Sequence, residues 1–274
     1  MRIGVVATGG PISTDLVEPL RAVAASVDPA IRIRFHDQCF ESFGHFAGTD
    51  QAREDAFVQF ASDPDLDAIW FGRGGYGTCR IAEEAIGRLG PAARGKTYLG
   101  YSDAGYLLAG LYRHGIGAVA HGPMPGDLAK LGAEPVERAL RWLARRDPDC
   151  LEPNVAAGEK AAAFNMIVFS QLLGTGLEPD LAGQVLMFEE VEEHMYRIDR
   201  SMFHISGNAS VRRVAGIRLG RCAPIPPNDP DFGQSEEELV RYWCERAGIP
   251  WLGRADIGHD AGNKVVPFGA AGPF

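Results

Sequence analysis

Short apolar runs alternate with stretches of helical periodicity through the first half of the chain, and this alternation restricts the fold more than any other feature. The runs at residues 3–7, 31–35, 66–71, 97–101 and 116–120 are rich in apolar residues and too short for helices. Each reads as a strand, and 3–7 as a buried one. Helical spacing fills the intervals, over about 14–27, from Gly48-Thr49-Asp50 onward, over 79–88 and over 103–114. An α/β fold follows, with a Rossmann-like parallel sheet covered by helices and its working surface at the C-terminal ends of the strands.

That rule gives the loops their meaning. Thr8-Gly9-Gly10, Gly72-Arg73-Gly74-Gly75-Tyr76-Gly77, Gly100-Tyr101-Ser102-Asp103 and His121-Gly122-Pro123 all follow expected strands and converge on one crevice. Ser102 stands on a tight strand-to-helix turn, flanked at two positions by the small residues Gly100 and Ala104. Such a turn exposes a nucleophilic hydroxyl and directs the following N–H groups toward an oxyanion. The same serine would equally serve as the N-cap of a helix over 103–114. The glycine-rich stretch 72–77 misses the G-x-G-x-x-G order and lacks a following G-K-[ST], which argues against dinucleotide or phosphate binding. Its glycines instead shape a tight loop whose amides can serve an oxyanion beside Ser102.

The pattern changes near Asp147-Pro148-Asp149, and 151–154 reads as a linker. Two domains are expected, 1–148 carrying the serine and a smaller α+β unit at 155–274. In the second, a helix is expected over 164–173, a strand over 184–188 running into Glu189-Glu190-Val191-Glu192-Glu193, a strand over 213–219 and a helix over 234–247. An activated serine needs a base, and the base needs an orienting carboxylate. Among seven histidines, His121 and His259 stand out at glycine-bounded loops, and His259 is the better base. Glu189, the first acid after a buried strand, is the best orienter; the rest of the acidic run reads as a solvated face.

Composition removes several other classes. A net charge of −9, without clustered Lys and Arg, excludes nucleic acid as a partner. The five cysteines are scattered and odd in number, without C-x-x-C spacing, so neither a disulfide framework nor a metal site is expected. No apolar run reaches membrane-spanning length and the first residues lack signal-peptide features, so a cytoplasmic protein without a membrane partner is expected.

With these residues assembled, the chain resembles the LD-carboxypeptidase family, serine peptidases that include muramoyltetrapeptide carboxypeptidase and the microcin-C self-immunity hydrolases. The resemblance rests on Phe46-Ala47-Gly48-Thr49-Asp50 with Arg53, Arg73-Gly74-Gly75-Tyr76-Gly77 with Arg80, Gly100-Tyr101-Ser102-Asp103, His121-Gly122-Pro123, Leu173-Gly174-Thr175, Phe188-Glu189-Glu190-Val191, and Gly258-His259 with Asn263 and Pro267-Phe268-Gly269. It implies Ser102 as nucleophile, His259 as base and Glu189 as its partner, with an oxyanion hole at Gly74 or Gly75 and Asp103. It also implies a homodimer, no cofactor, and a small muropeptide substrate from which terminal D-alanine is released. Arg73 is a candidate for the substrate carboxylate, and Tyr76, His121 and Phe164 for further substrate contacts. The sequence departs from the family pattern at Ala163-Phe164, where Gly-Gly is usual, at Glu190 in place of aspartate, and at Gly105, often threonine. A phenylalanine at 164 is expected to narrow the cleft. A hydrolase of peptidyl or aminoacyl conjugates and a non-catalytic ligand-binding homologue are the other readings.

Overall fold

The structure, a computed structural model, describes residues 1–269. Its first unit follows the alternation: β1 (Arg2–Val6), α1 (Val17–Val27), β2 (Arg32–Phe35), α2 (Asp50–Ser62), β3 (Ala68–Phe71), α3 (Ala82–Gly87), β4 (Thr97–Gly100), α4 (Gly105–Arg113), β5 (Ala118–His121), α5 (Asp127–Leu131) and α6 (Ala133–Arg145). Central strands β3 and β4 are buried at every residue, as strands covered on both faces of a parallel sheet are. Helix α2 starts where Thr49 accepts the Ala52 N–H at 3.1 Å, a side-chain cap for an otherwise unpaired donor.

After a short helix α7 (Pro153–Ala156) the chain builds β6 (Ala161–Asn165), α8 (Met166–Leu172), β7 (Val185–Glu190), α9 (Met195–Gly207), β8 (Gly216–Cys222), α10 (Glu236–Ala247), β9 (Trp251–Arg254) and β10 (Val266–Pro267). The sheets run β10-β5-β4-β3-β1-β2 and β6-β7-β8-β9. Strands of the first are parallel except β10, which pairs antiparallel with β5. The second sheet, expected within an α+β unit, is parallel throughout.

Two features differ from expectation and both bear on the site. Residues 161–165 form a strand where a helix was expected from 164. Alanine favours helix locally, yet these residues are completely buried beside β7, and burial decides. The C-terminal segment also returns to the first sheet through β10, with Phe268 bridging Ala161. The units are therefore sewn together, and one hydrophobic core runs from Tyr98 and Leu107 through Phe164 to Phe188 and Leu219. Among the described residues no helix is long and apolar enough to cross a membrane.

Candidate active site

Ser102 begins a single 3-10 turn between β4 and α4, and its φ is +58°, a left-handed conformation that a side chain rarely adopts. Tyr101 rather than Ser102 occupies the cap position, and the serine hydroxyl makes no capping bond. The N-cap alternative is thus removed, and the hydroxyl stays available at the strand end. Strain of this kind persists only where neighbours over-determine it. Gly100 supplies part of that constraint, since a Cβ there would stand 2.8 Å from the Phe71 ring.

The glycine-rich loop lies directly over the serine. A Cβ at Gly74 would stand 2.9 Å from Ser102 Oγ and 3.0 Å from its Cβ, so the loop approaches as closely as it does only with glycine. Gly75 and Gly77 have φ of +108° and +135°. Buried Asp103 ties the loop to the serine turn, its Oδ2 accepting the Thr78 N–H at 2.9 Å and the Thr78 hydroxyl at 2.6 Å. Burial pushes the Asp103 carboxyl upward, against these hydrogen bonds. Arg53, fully buried, donates to the carbonyls of Thr8 and Gly77 and to Asp50. This explains why Arg53 and Asp50 accompany the loop: one guanidinium fixes two backbone turns at once.

Across the cleft, β7 ends in Glu189 and Glu190. Successive strand residues face opposite ways, and the two carboxylates separate accordingly. Glu189 is fully buried and its Oε2 bonds His259 Nδ1. Burial acts to lower the His259 pKa, but the Glu189 charge and hydrogen bond outweigh it, so the imidazole sits above the usual histidine range. The Tyr101 ring packs 4.7 Å from the imidazole, and its hydroxyl donates to buried Asp127 at 2.9 Å. His259 and Ser102 border the same cavity, of about 470 Å³, together with Arg73, Gly74, Gly75 and Asp127. No hydrogen bond joins the serine hydroxyl to the imidazole here.

Some expected contacts lie elsewhere. His121 is buried and pushed down to about 4 by burial, hence neutral, and borders neither cavity described here. It bonds Asn263 at 3.2 Å, and Asn263 in turn accepts the Gly258 N–H at 3.3 Å. His121 thus braces the His259 loop and does not line the cleft. Arg138 of α6 adds to the brace, donating to the carbonyls of Ala261 and Asn263 at 2.8 Å each. Phe164 does not narrow the cleft: it is 1% exposed and stacks 5.0 Å from both Phe169 and Phe268. The two departures at 105 and 164 are neighbours. A Cβ at Gly105 would stand 3.0 Å from Val168 and 3.6 Å from the Phe164 ring, so the small residue makes room for the helix and ring beside it.

Tyr76 is half exposed and borders a second cavity of about 670 Å³, which also reaches Ser102. Glu190 borders it too and is buried, not part of a solvated face. Its oxygens accept Asn165 Nδ2 at 2.6 Å and the N–H groups of Ile167 and Val191 at 2.9 Å. Burial and the neighbouring Glu189 charge push it up to about 7. Glu190 and Asn165 are the site residues that composition and spacing had not singled out. Their signal was the second acid directly after an apolar strand, where period-2 alternation sends it to the opposite face. Among the described residues no group of His, Cys, Asp and Glu could hold a metal ion.

The family model for the LD-carboxypeptidase N-terminal domain matches residues 3–122, and that for the C-terminal domain matches 161–272. A Synechocystis protein named as a carboxypeptidase is 33% identical over 83% of this chain and 76% of its own. The murein tetrapeptide carboxypeptidase of Pseudomonas aeruginosa is 27% identical over 98% of this chain and 91% of its own. Among solved structures, muramoyltetrapeptide carboxypeptidase from Oxalobacter formigenes superposes with a TM-score of 0.81 at 22% identity, covering 98% of this chain and 93% of the other. The microcin C7 self-immunity protein MccF, in complex with aspartyl sulfamoyl adenosine, gives a TM-score of 0.77 at 16% identity, covering 98% and 91%.

Proposed function

Because this chain belongs to the LD-carboxypeptidase family, we propose that it is a serine carboxypeptidase that cuts the L,D-peptide bond of murein tetrapeptides and releases D-alanine. The observation that carries the reading is the buried Glu189–His259 pair facing the same cavity as a serine held at positive φ.

Ser102 Oγ attacks the scissile carbonyl while His259 Nε2 takes its proton, and Glu189 on Nδ1 fixes the tautomer and stabilises the imidazolium. Hydroxyl and imidazole are not bonded here, and their hydrogen bond tightens in the Michaelis complex. The tetrahedral oxyanion falls to backbone N–H groups of Gly74 or Gly75 and of Asp103. The imidazolium then protonates the departing amine, leaving an acyl-serine that water hydrolyses with the same base. Arg73, exposed at the cavity rim, receives the terminal carboxylate, and Lys130 borders the same cavity. The chain then acts in the cytoplasm, in cell-wall recycling, and as a homodimer, which light scattering of the purified protein checks.

The test is release of alanine from three peptides. A tetrapeptide ending L-diaminopimelyl-D-alanine is expected to be cut, with little release from its L-alanine epimer or its C-terminal amide. Comparable release from the amide would reject the carboxypeptidase assignment, and release from none would favour a hydrolase of conjugates.

A further inference from the structure

Glu189 holds His259 by one atom, Nδ1. A ring tethered at a single atom can still tilt about it, and the serine hydroxyl, unbonded to the imidazole here, does not restrain the other end. The face of the imidazole is held from a different element. Tyr101, the residue directly before Ser102, packs its ring 4.7 Å from the imidazole at an interplanar angle of 56°. The base is thus steadied by the turn that carries the nucleophile. Tyr101 also packs 5.5 Å from the His121 ring at 64°, so one side chain meets both the base and the histidine that braces its loop.

Tyr101 is 4% exposed, and packing alone would be served as well by phenylalanine. Its hydroxyl is instead matched with a buried carboxylate. Asp127 Oδ1 accepts that hydroxyl at 2.9 Å, while Oδ2 accepts the Met124 N–H at 2.7 Å. Taking a carboxylate out of water is costly, and these two donors together with the nearby imidazole offset the cost. With a protein donor already on each oxygen, Asp127 is placed to act on Tyr101 and not on substrate, although it borders the cavity.

We propose that Tyr101 and Asp127 are positioning residues of the general base: Asp127 pins the Tyr101 hydroxyl, and the pinned ring keeps the imidazole from tilting away from Ser102. The proposal rests on the serine carboxypeptidase reading. The Asp127 charge has a second effect, since it favours the imidazolium that forms when Ser102 gives up its proton. The other groups around the imidazole are Glu189 and Glu190 from β7 and neutral His121 from β5. Asp260, on the same loop as His259, is paired with Arg221 of β8, and Arg73 and Lys130 border the cavity.

Two substitutions separate the parts: Tyr101→Phe keeps the ring and removes the pin, and Asp127→Asn keeps the shape and removes the charge. Each variant and their double are compared with the unmodified protein in three ways, at temperatures well below every Tm. The readouts are D-alanine release from a tetrapeptide ending L-diaminopimelyl-D-alanine, the rate at which a fluorophosphonate labels Ser102, and the His259 titration followed by NMR. Each single variant is expected to lose about tenfold in kcat and in labelling rate with KM within about twofold, because a displaced base costs rate and not binding. The double variant should lose no more than about twofold beyond the worse single, since Asp127 acts through Tyr101. In Asp127→Asn the His259 midpoint should fall by about half a pH unit or more, a change that a merely structural role would not produce. An unchanged midpoint, single variants within about twofold of the unmodified protein, or losses that multiply in the double variant would each overturn the proposal. Labelling slowed in both variants, without D-alanine release by any of the proteins, would instead sink the carboxypeptidase reading and support the positioning roles.

Discussion

The serine side of the cleft and the histidine side are built by different means. On the first, backbone shape does the positioning: Ser102 at φ +58°, Gly74 pressed against its hydroxyl, and Arg53 clamping two turns through their carbonyls. On the second, buried charge and hydrogen bonds do it: Glu189 holds His259, while His121, Asn263 and Arg138 hold the loop. A wall built on close backbone approach fails first on changes of volume at its glycines. A wall built from buried charge tolerates little change in either partner, because removing one leaves the other unsatisfied.

Breaking the charge-built side should have the largest effect. His259→Ala and Glu189→Gln are each expected to lower kcat/KM about a thousandfold or more, and the double variant scarcely further, because the residues act as a unit. The pH profile sharpens the point. Catalysis needs the neutral imidazole, and Glu189 holds its pKa above the usual 6.5, so the acidic limb of kcat/KM should have its midpoint above that value. In Glu189→Gln the residual activity should show the limb moved toward lower pH. Additive losses in the double variant would mean that the two residues work separately.

Next comes a position that belongs to neither wall. Phe164→Ala should destabilise the protein by about 3–5 kcal/mol in denaturant unfolding, since it empties a ring site in the shared core. Relative rates on different peptides should stay within about twofold. A change of substrate range without loss of stability would return Phe164 to the cleft.

On the shape-built side, Gly74→Ala adds one methyl group 2.9 Å from Ser102 Oγ and removes no polar group. A loss of about a hundredfold in kcat is expected, comparable to losing an oxyanion donor, with KM little changed. The smallest effect should come from the rim: Arg73→Ala is expected to raise KM about tenfold with kcat nearly intact, the cost of one charge-assisted hydrogen bond.

The same contrast governs how much was legible before folding. Turn chemistry is local, so the glycines around Ser102 and the strand alternation before it could be read from neighbouring residues. Glu189 and His259 are 70 positions apart and meet only through the packing of β7 against the loop after β9. Their residue types could be nominated from strand and loop context, but their pairing rests on the family resemblance. Phe164 was expected at the cleft because it stands where the family has glycine, but tertiary burial makes 161–165 a strand and takes the ring into the core. The return of β10 to the first sheet was invisible because a two-residue strand containing proline carries no periodic pattern. Glu190 was hidden inside a charge run, where buried and solvated acids look alike.

The most direct measurement is D-alanine released by equal amounts of the unmodified protein and Ser102→Ala, with far-UV circular dichroism and thermal unfolding of both. The account predicts a loss of about a thousandfold or more in Ser102→Ala, with unchanged secondary structure and a Tm equal or slightly raised, since alanine removes the attacking oxygen but keeps the fold. Activity of Ser102→Ala within about tenfold of the unmodified protein would contradict it.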